Sequence, residues 1–568
     1  MKRSFSGSGP VVVVGASLLL AFAACGSGKD GSGFDTTGSS GSSGSSSGDD
    51  GGIVFGGDGG FGGDGASSGG PTGDPVTCDQ AAASKSYIGC DYWPTVVGNN
   101  VWSIFDFAAV VANAGQNAAD ITVTGPNGTN QKVTVQPQQL TTIYLPWVKD
   151  LKGADFDDQT AATPLSSSVF SAKGAYHLVS TFPVTVYQFN ALEYKGAGGP
   201  SGKNWSSCPG GPQNQFGVPC DSFSNDASLL LPTTAMTGNY RVAGIHGWTE
   251  NGGLGGSQNI MGAYFAVTGT ADGTNVKVKV SGTGTVVAGP QIAATAAGGV
   301  LSFTLNAGDV AEVVGPLGQA SDLSGSQVSA DKPVQVIAGI PCINIPAGTG
   351  TCDHIEESVL PAETLGKHYL VTVPTGPKGK PVAHNVRIYG NVDGTKLSYG
   401  GGAPCPATVN AGQVLDCGMV TKDFEVTGDH EFSVGSFMAG GQLVDPGGGN
   451  NAEGDPSQSQ MIAVEQYRTK YIFLAPADYD ISYVDVVAPT GTTLTLDGTG
   501  AGATFTPVGV NGLGVARIKL GAGQNGAHVM SGDKAFGVQV VGYGIATSYQ
   551  YPGGLDLKGI APPPPPVK

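Results

Sequence analysis

One strand pattern returns four times between residues 90 and 550, and it constrains the fold of this 568-residue chain more than any other feature. An opening strand reads Leu231-Pro232 with Tyr240 and Val242, then Leu360-Pro361 with Tyr369 and Val371, then Ile462-Ala463 with Tyr471 and Phe473. The aliphatic residue precedes the tyrosine by 9 positions each time, and a weaker copy begins near Val101-Trp102. A hairpin with period-two alternation is expected next, as in Phe265/Val267 followed by Val276/Val278, or Val386/Ile388 followed by Leu397/Tyr399. Ile121/Val123 with Val133/Val135 and Val484/Val486 with Leu494/Leu496 complete the set. Such alternation marks half-buried strands with one face inward. Turns ending Gly-Thr separate the two halves, at Asn127-Gly128-Thr129, Asp272-Gly273-Thr274, Asp393-Gly394-Thr395 and Thr490-Gly491-Thr492. Asn-Gly and Asp-Gly suit the positive φ of tight turns. Each copy closes with a strand, a short turn and a second strand, clearest at Val328-Ser329-Ala330-Asp331-Lys332-Pro333-Val334-Gln335-Val336.

No amphipathic helix interrupts these copies, so the fold class is all-β, built of tandem antiparallel Greek-key sandwich-like repeats. A β-propeller made from the same repeats is the alternative, because radial repetition also protects strand edges. The repeats are expected at 76–228, 229–352, 353–457 and 458–560. Composition supports this class: 94 glycines and only 12% charged residues do not build a coiled coil or helical bundle. Lys and Arg number 27 against 44 Asp and Glu, for a net charge of −17, so no nucleic-acid partner is expected.

The ends give a compartment. Lys2 and Arg3 precede an apolar run from Val11 to Ala24 that is too short to span a bilayer. The following Phe22-Ala23-Ala24-Cys25 resembles a bacterial lipoprotein lipobox. That resemblance implies a signal peptide at 1–24, acylation of Cys25, and membrane attachment by lipid alone. Gly26 rather than an acidic residue follows Cys25, which resembles lipoproteins sent to the outer membrane and implies a surface-exposed place in a bacterial cell envelope. Residues 25–75 are mostly Gly, Ser and Asp and read as a disordered tether, and the tail at 561–568 holds five prolines and reads as a stiff, exposed polyproline segment. The other eight cysteines fall into close pairs, which predicts disulfides Cys78–Cys90, Cys208–Cys220, Cys342–Cys352 and Cys405–Cys417.

One string carries a family likeness: Cys342, nine residues, Cys352-Asp353-His354-Ile355-Glu356-Glu357, then Leu360-Pro361 and Leu365-Gly366-Lys367-His368-Tyr369. With the strand Ser329–Val336, it resembles the N-terminal domain of IgGFc-binding proteins over about residues 220–550. In that family the marking residues correspond here to Cys352, Asp353, His354, Glu356 and Pro361. The resemblance implies an extracellular binding module. Its namesake in animals binds the Fc part of IgG and continues into von Willebrand type D modules; eight cysteines beyond Cys25 are too few for such modules, so none is expected here and Fc binding is not carried over.

Catalytic signatures are missing. His354 with Glu356 and Glu357 is the one tight His/carboxylate cluster, expected to supply turn and strand-start hydrogen bonds. The other histidines are scattered among strands without a visible partner, and no nucleophile elbow, zinc helix or phosphate loop occurs. No cofactor, metal or catalytic residue is assigned. Aromatic residues in connections, namely Tyr92-Trp93, Trp147, Trp205 and Trp248, either plug sandwich ends or stack on a ligand; Trp205 and Trp248 are the candidate contacts. The expected function is non-enzymatic binding or adhesion by a surface-tethered lipoprotein toward an extracellular protein or glycan. The alternatives are a structural envelope or matrix component and a secreted glycan hydrolase.

Overall fold

The computed structural model describes residues 74–113, 115–156, 163–209, 220–222, 224–250, 259–349, 352–402, 404–523 and 526–568. The expected signal peptide, Cys25 and the tether up to residue 73 lie outside the described residues.

The second repeat shows the building plan. An outer sheet orders Val300–Leu305, Thr274–Lys279, Gln327–Ala330 and Asn239–Arg241. An inner sheet orders Asp353–Ser358, Val334–Ile343, Tyr264–Gly269, Val310–Val314 and Val169–Ser171. Phe265 and Val267 from the inner sheet meet Val276 and Val278 from the outer sheet in one apolar core with Leu301, Val328 and Val336. Thr274–Lys279 alternates buried and exposed residues because its far face is wet, whereas Tyr264–Gly269 is buried throughout because its far face meets the rest of the molecule. Every pairing in both sheets is antiparallel.

The third repeat follows this plan without a counterpart to Val169–Ser171, with Val414–Val420, His384–Gly390, Phe432–Met438 and Gln458–Gln460 inside. In the first and fourth, the two closing strands fuse into single long ones, His177–Phe189 and Ala527–Gly544. The first half of each pairs in the outer sheet and the second half in the inner sheet. The bends fall at Ser180–Pro183 and at Gly532-Asp533-Lys534, where the other copies place Asp331-Lys332-Pro333 and Asp429-His430-Glu431. Pro183 and Pro333 lack the N–H a continuing ladder needs, so a corner suits them.

Two sequence expectations need correction. Phe265/Val267 and Val276/Val278 are not a hairpin: the turn at Asp272-Gly273-Thr274 carries the chain from inner to outer sheet, as the turns in the third and fourth repeats do. Period-two alternation about a Gly turn reads the same for an arch between sheets as for a hairpin. In the first repeat Asn127-Gly128-Thr129 does tip a true hairpin, Ala119–Gly125 with Thr129–Val135; its sheet-changing turn lies earlier, between Ala112 and Ala119. The boundaries also shift, because Asp353–Ser358 pairs with Val334–Ile343 and Gln458–Gln460 with Phe432–Met438, past the expected breaks at 352 and 457.

Both readings of the architecture are met at once. Each repeat is a sandwich, and the four form a propeller-like ring. The last strands, Ala227–Leu229, Asp353–Ser358, Gln458–Gln460 and Thr547–Pro552, contact one another in a closed cycle, first to second to third to fourth to first. The seam between first and fourth repeats is apolar: Tyr187 and Phe189 join Tyr549 and Tyr551 in one continuous core. It is latched by chain ends, since Tyr87 N donates to Leu555 O at 3.2 Å, Leu557 N donates to Lys85 O at 2.8 Å, and Asp74 pairs with Arg468 at 2.9 Å. In the proline tail Pro562, Pro563, Pro565 and Pro566 are exposed and Pro564 is buried, and Gln327 Nε2 donates to Pro565 O at 2.7 Å.

Candidate functional site

Residues 353–358, which carry the family-like string, form the innermost strand of the second sandwich and are all buried. Each inner sheet ends at the axis on such an edge strand, whose outward N–H and C=O groups have no further ladder. Side chains supply the partners. Asp226 Oδ2 accepts from the backbone N–H of Glu356 at 3.1 Å and of Gln458 at 2.8 Å, tying three sandwiches together. Ser224 Oγ accepts from His354 N at 3.2 Å, and Gln550 Nε2 donates to Ser457 O at 2.7 Å. Gln188 Nε2 donates to both carboxyl oxygens of Glu356 at 3.1 Å, and Asn190 Nδ2 lies 3.2 Å from His354 Nε2.

Burial sets the charge state there. It pushes Glu356 up to about 8 and His354 down to about 3, so at neutral pH the axis holds a carboxylic acid and a neutral imidazole. Asp353 is raised well above the carboxylate range by burial and then by Asp455 and Asp226; Asp226 and Glu357 are raised by burial too. Cys352 bonds Cys342, stapling the two inner strands where they reach the axis, and Pro361 bridges to Tyr240 at the next junction. Asp353, His354 and Glu356 therefore bond across to other sandwiches, Cys352 and Pro361 brace the second sandwich itself, and all five are buried. The hydrogen bonds expected of His354 and its neighbours run between sandwiches rather than within a turn.

Exposed aromatic chemistry gathers on the first sandwich instead. Trp102 and Phe105 are buried, and Trp147, Phe156 and Trp205 pack half-buried against them beside the Cys208–Cys220 bridge. Trp205 opens a short 3-10 turn capped by Asn204, whose Oδ1 accepts from Ser206 N at 3.1 Å. Its Nε1 donates to Gly198 O at 3.0 Å, its ring centre lies 5.2 Å from that of Phe105, and Lys203 Nζ sits 4.1 Å from the ring centre. Lys203 also pairs with Asp106 and lies 3.6 Å from Glu193 Oε1. Gly199, at φ 81°, passes so close that a Cβ would stand 2.8 Å from Glu193 Oε1. Burial, and then the Asp106 charge, raise Glu193 to about 7. This carboxyl pair is separated by 87 residues in sequence and was invisible there.

Trp147 forms one wall of an adjoining groove of about 820 Å³, lined also by Ser103, Asn127, Lys149, Asp150 and Lys173. Its Nε1 donates to Phe105 O at 2.7 Å, so the two tryptophans share one anchor.

Trp248 is corrected as a ligand contact. It is 1% exposed, and its Nε1 donates to Asn344 Oδ1 at 2.9 Å, in an apolar cluster with Ile245, Met261, Ile343 and Phe437. Tyr92 and Trp93 are buried as well. Three scattered histidines do have carboxylate partners: His177 with Asp91 at 2.8 Å, His368 with Glu425 at 2.6 Å and His528 with Asp497 at 2.8 Å. Among the described residues, no group of three or more His, Cys, Asp or Glu is placed to hold a metal ion.

Comparison with known proteins adds a family. The family model described as IgGFc binding protein matches residues 226–542, from the axial strand of the first sandwich into the fourth. The human IgGFc-binding protein (Homo sapiens) is 29% identical over 303 residues, which is 52% of this chain and 5% of that protein. A crystal structure of a tetra-tandem repeat from the extending region of a large adhesion protein is 13% identical, covering 82% of this chain and 99% of that one with a TM-score of 0.07, and carries no argument. The Trp205 loop and the Trp147 groove both precede the matched region. With more than half of its residues matched, and with the Cys352–Pro361 string at the axis of its ring, the chain belongs to the IgGFc binding protein family.

Proposed function

We propose that this protein is a non-enzymatic binding or adhesion lipoprotein, tethered through Cys25 to the outer membrane of a bacterial cell, which presents the loops of its first sandwich to an extracellular protein or glycan. The observation that carries the reading is Trp205: half-buried, held by a backbone hydrogen bond and a disulfide-closed loop, on a rigid β scaffold. The family supports a binding role. Fc recognition, which the human relative's name states for that protein, is one candidate among protein ligands. The buried axial His and carboxyl groups have no access to a substrate, which favours binding over catalysis.

Protein and glycan arrays, with an Fc fragment among the proteins, test this on the full chain. A saturable ligand weakened by Trp205→Ala is expected. Absence of any saturable ligand, or turnover of an arrayed glycan, overturns it.

A further inference from the structure

We propose that Lys203 and Asp106 join in an amide cross-link, which the protein forms on itself with Glu193 as the acid and base that moves the protons. The inference concerns covalent structure and does not rest on the binding role above.

Three segments bring the groups together. Asp106 stands one residue before the strand Phe107–Ala112, Glu193 lies just past the end of the strand His177–Phe189, and Lys203 sits in the loop that carries Trp205. Two hydrogen bonds fix the carboxyl-bearing segments against each other: Asp106 N donates to Glu193 Oε2 at 2.9 Å, and Leu192 N donates to Asp106 O at 2.9 Å. Lys203 Nζ contacts Asp106 Oδ2 directly and lies 3.6 Å from Glu193 Oε1. An amine held against a carboxyl in one fixed geometry reacts as an intramolecular neighbour, with the entropy of encounter already spent by folding.

Water is largely kept out. The side chains of Glu193 and Lys203 are 0% and 9% exposed, and the Trp205 ring centre lies 4.1 Å from Nζ. Gly199 passes over all three groups at φ 81°: a Cβ there would stand 2.6 Å from Lys203 Cδ, 2.8 Å from Glu193 Oε1 and 3.4 Å from Asp106 Oδ2. A glycine is therefore what lets the loop close on the triad. Glu193 Oε1 is buried and has no hydrogen-bond partner among the described residues, which leaves it able to give or take a proton. With Glu193 raised to about 7, both of its protonation states are within reach near neutral pH.

The step is a dehydration that balances within the triad. Lys203 passes one ammonium proton to the Asp106 carboxylate, leaving a neutral amine beside a neutral acid. The Nζ lone pair attacks Asp106 Cγ and forms the C–N bond. Glu193 gives its proton to the departing hydroxyl and takes one from nitrogen; the C–O bond breaks, one water leaves, and Glu193 ends as it began. Two other lysines each lack one part. Lys152 is buried and pairs with Asp155 at 2.7 Å, but it pairs with no second carboxyl among the described residues. Lys378 meets both Asp445 at 3.5 Å and Glu453 at 3.2 Å, but its side chain is 66% exposed.

Tryptic mapping of the full chain after reduction and alkylation reads the bond directly. Expected is one branched peptide that contains both Asp106 and Lys203, is uncut after Lys203, and weighs one water less than its two parts together. Glu193→Gln and Lys203→Arg should each give separate peptides. Lys203→Arg keeps the charge pair yet should melt at a lower temperature, because a link between residues 97 apart no longer restricts the unfolded chain. Separate peptides from the wild-type chain overturn the inference, whether or not a variant folds. A bond from Lys203 to Glu193 instead of Asp106 overturns it as well. Linkage that survives Glu193→Gln, or equal linkage of Lys152 to Asp155, removes the role given to Glu193 and overturns the mechanism.

Discussion

Replacing Glu356 by glutamine tests the reading of the ring axis through the pH dependence of stability. Burial raises this carboxyl from 4.5 to about 8, so the folded protein keeps its proton where the unfolded chain has already lost it. The sign follows: the folded state binds more protons between about pH 4.5 and 8, so its stability is full below 4.5 and falls as pH rises through that window. At ~1.4 kcal/mol per pH unit, one such group forfeits about 5 kcal/mol by pH 8. Glutamine has nearly the same shape, still accepts from Gln188 Nε2 through its carbonyl oxygen, and carries no titrating proton. Glu356→Gln should therefore cost about 1 kcal/mol at pH 5, where it removes one acceptor, and become the more stable protein above about pH 6. Urea unfolding at pH 5, 6, 7 and 8, followed by tryptophan fluorescence, measures the gap. It should widen by about 1.4 kcal/mol per pH unit in favour of the variant. Parallel curves would refute the buried, neutral acid. Glu312, also buried and raised to about 8, remains in both proteins and gives the variant a residual slope of the same sign.

Other expectations follow from particular contacts. Cys25→Ala should leave the protein unacylated and released from the membrane fraction; retention after a salt wash points to a different anchor. Removing the Cys208–Cys220 bridge with a Ser/Ser pair should destabilise the loop by up to about 3 kcal/mol and weaken any ligand that depends on Trp205, read by array binding alongside the melting temperature. Trp248→Ala should cost about 3–5 kcal/mol by emptying a buried site, with ligand binding unchanged under conditions where the protein stays folded. Val334→Asp places an unpaired charge at a fully buried position and costs several kcal/mol. Because the four sandwiches close one ring, limited proteolysis should find new cuts spread from 90 to 550, and cuts confined to 229–345 would mean the sandwiches unfold singly.

The repeat, its strands and the four cysteine pairs were legible because each rests on short-range pattern: period-two alternation, Gly turns and 10- or 12-residue cysteine spacing. The choice between hairpin and arch was not, since Val276 and Val278 alternate identically whether they pair with Phe265 and Val267 or face them across a core. Ring closure rests on contacts such as Tyr187 OH with Ile472 O at 2.9 Å, 285 residues apart, for which no local pattern exists. The candidate contacts were legible in part. Trp205 stood out as a loop aromatic, but Trp248 carried the same signal and turned out to be a short-strand residue in a core; nothing local separates a tryptophan that plugs from one that projects.

Why the most distinctive string in the sequence is structural follows from the ring itself. Four inner sheets converge on one axis, and each arrives with an edge strand. An apolar axis would leave those edge N–H and C=O groups unpaired in a dry interior, at about 1–3 kcal/mol each. Asp, His, Glu, Gln and Ser side chains are needed where they can reach across from one sandwich to the next, as Asp226 does to Glu356 and Gln458. That requirement places polar, chemistry-like residues at Asp353, His354, Glu356 and Glu357. The Trp147 and Trp205 loops lie outside that constraint, in the first sandwich and before the region the family model matches.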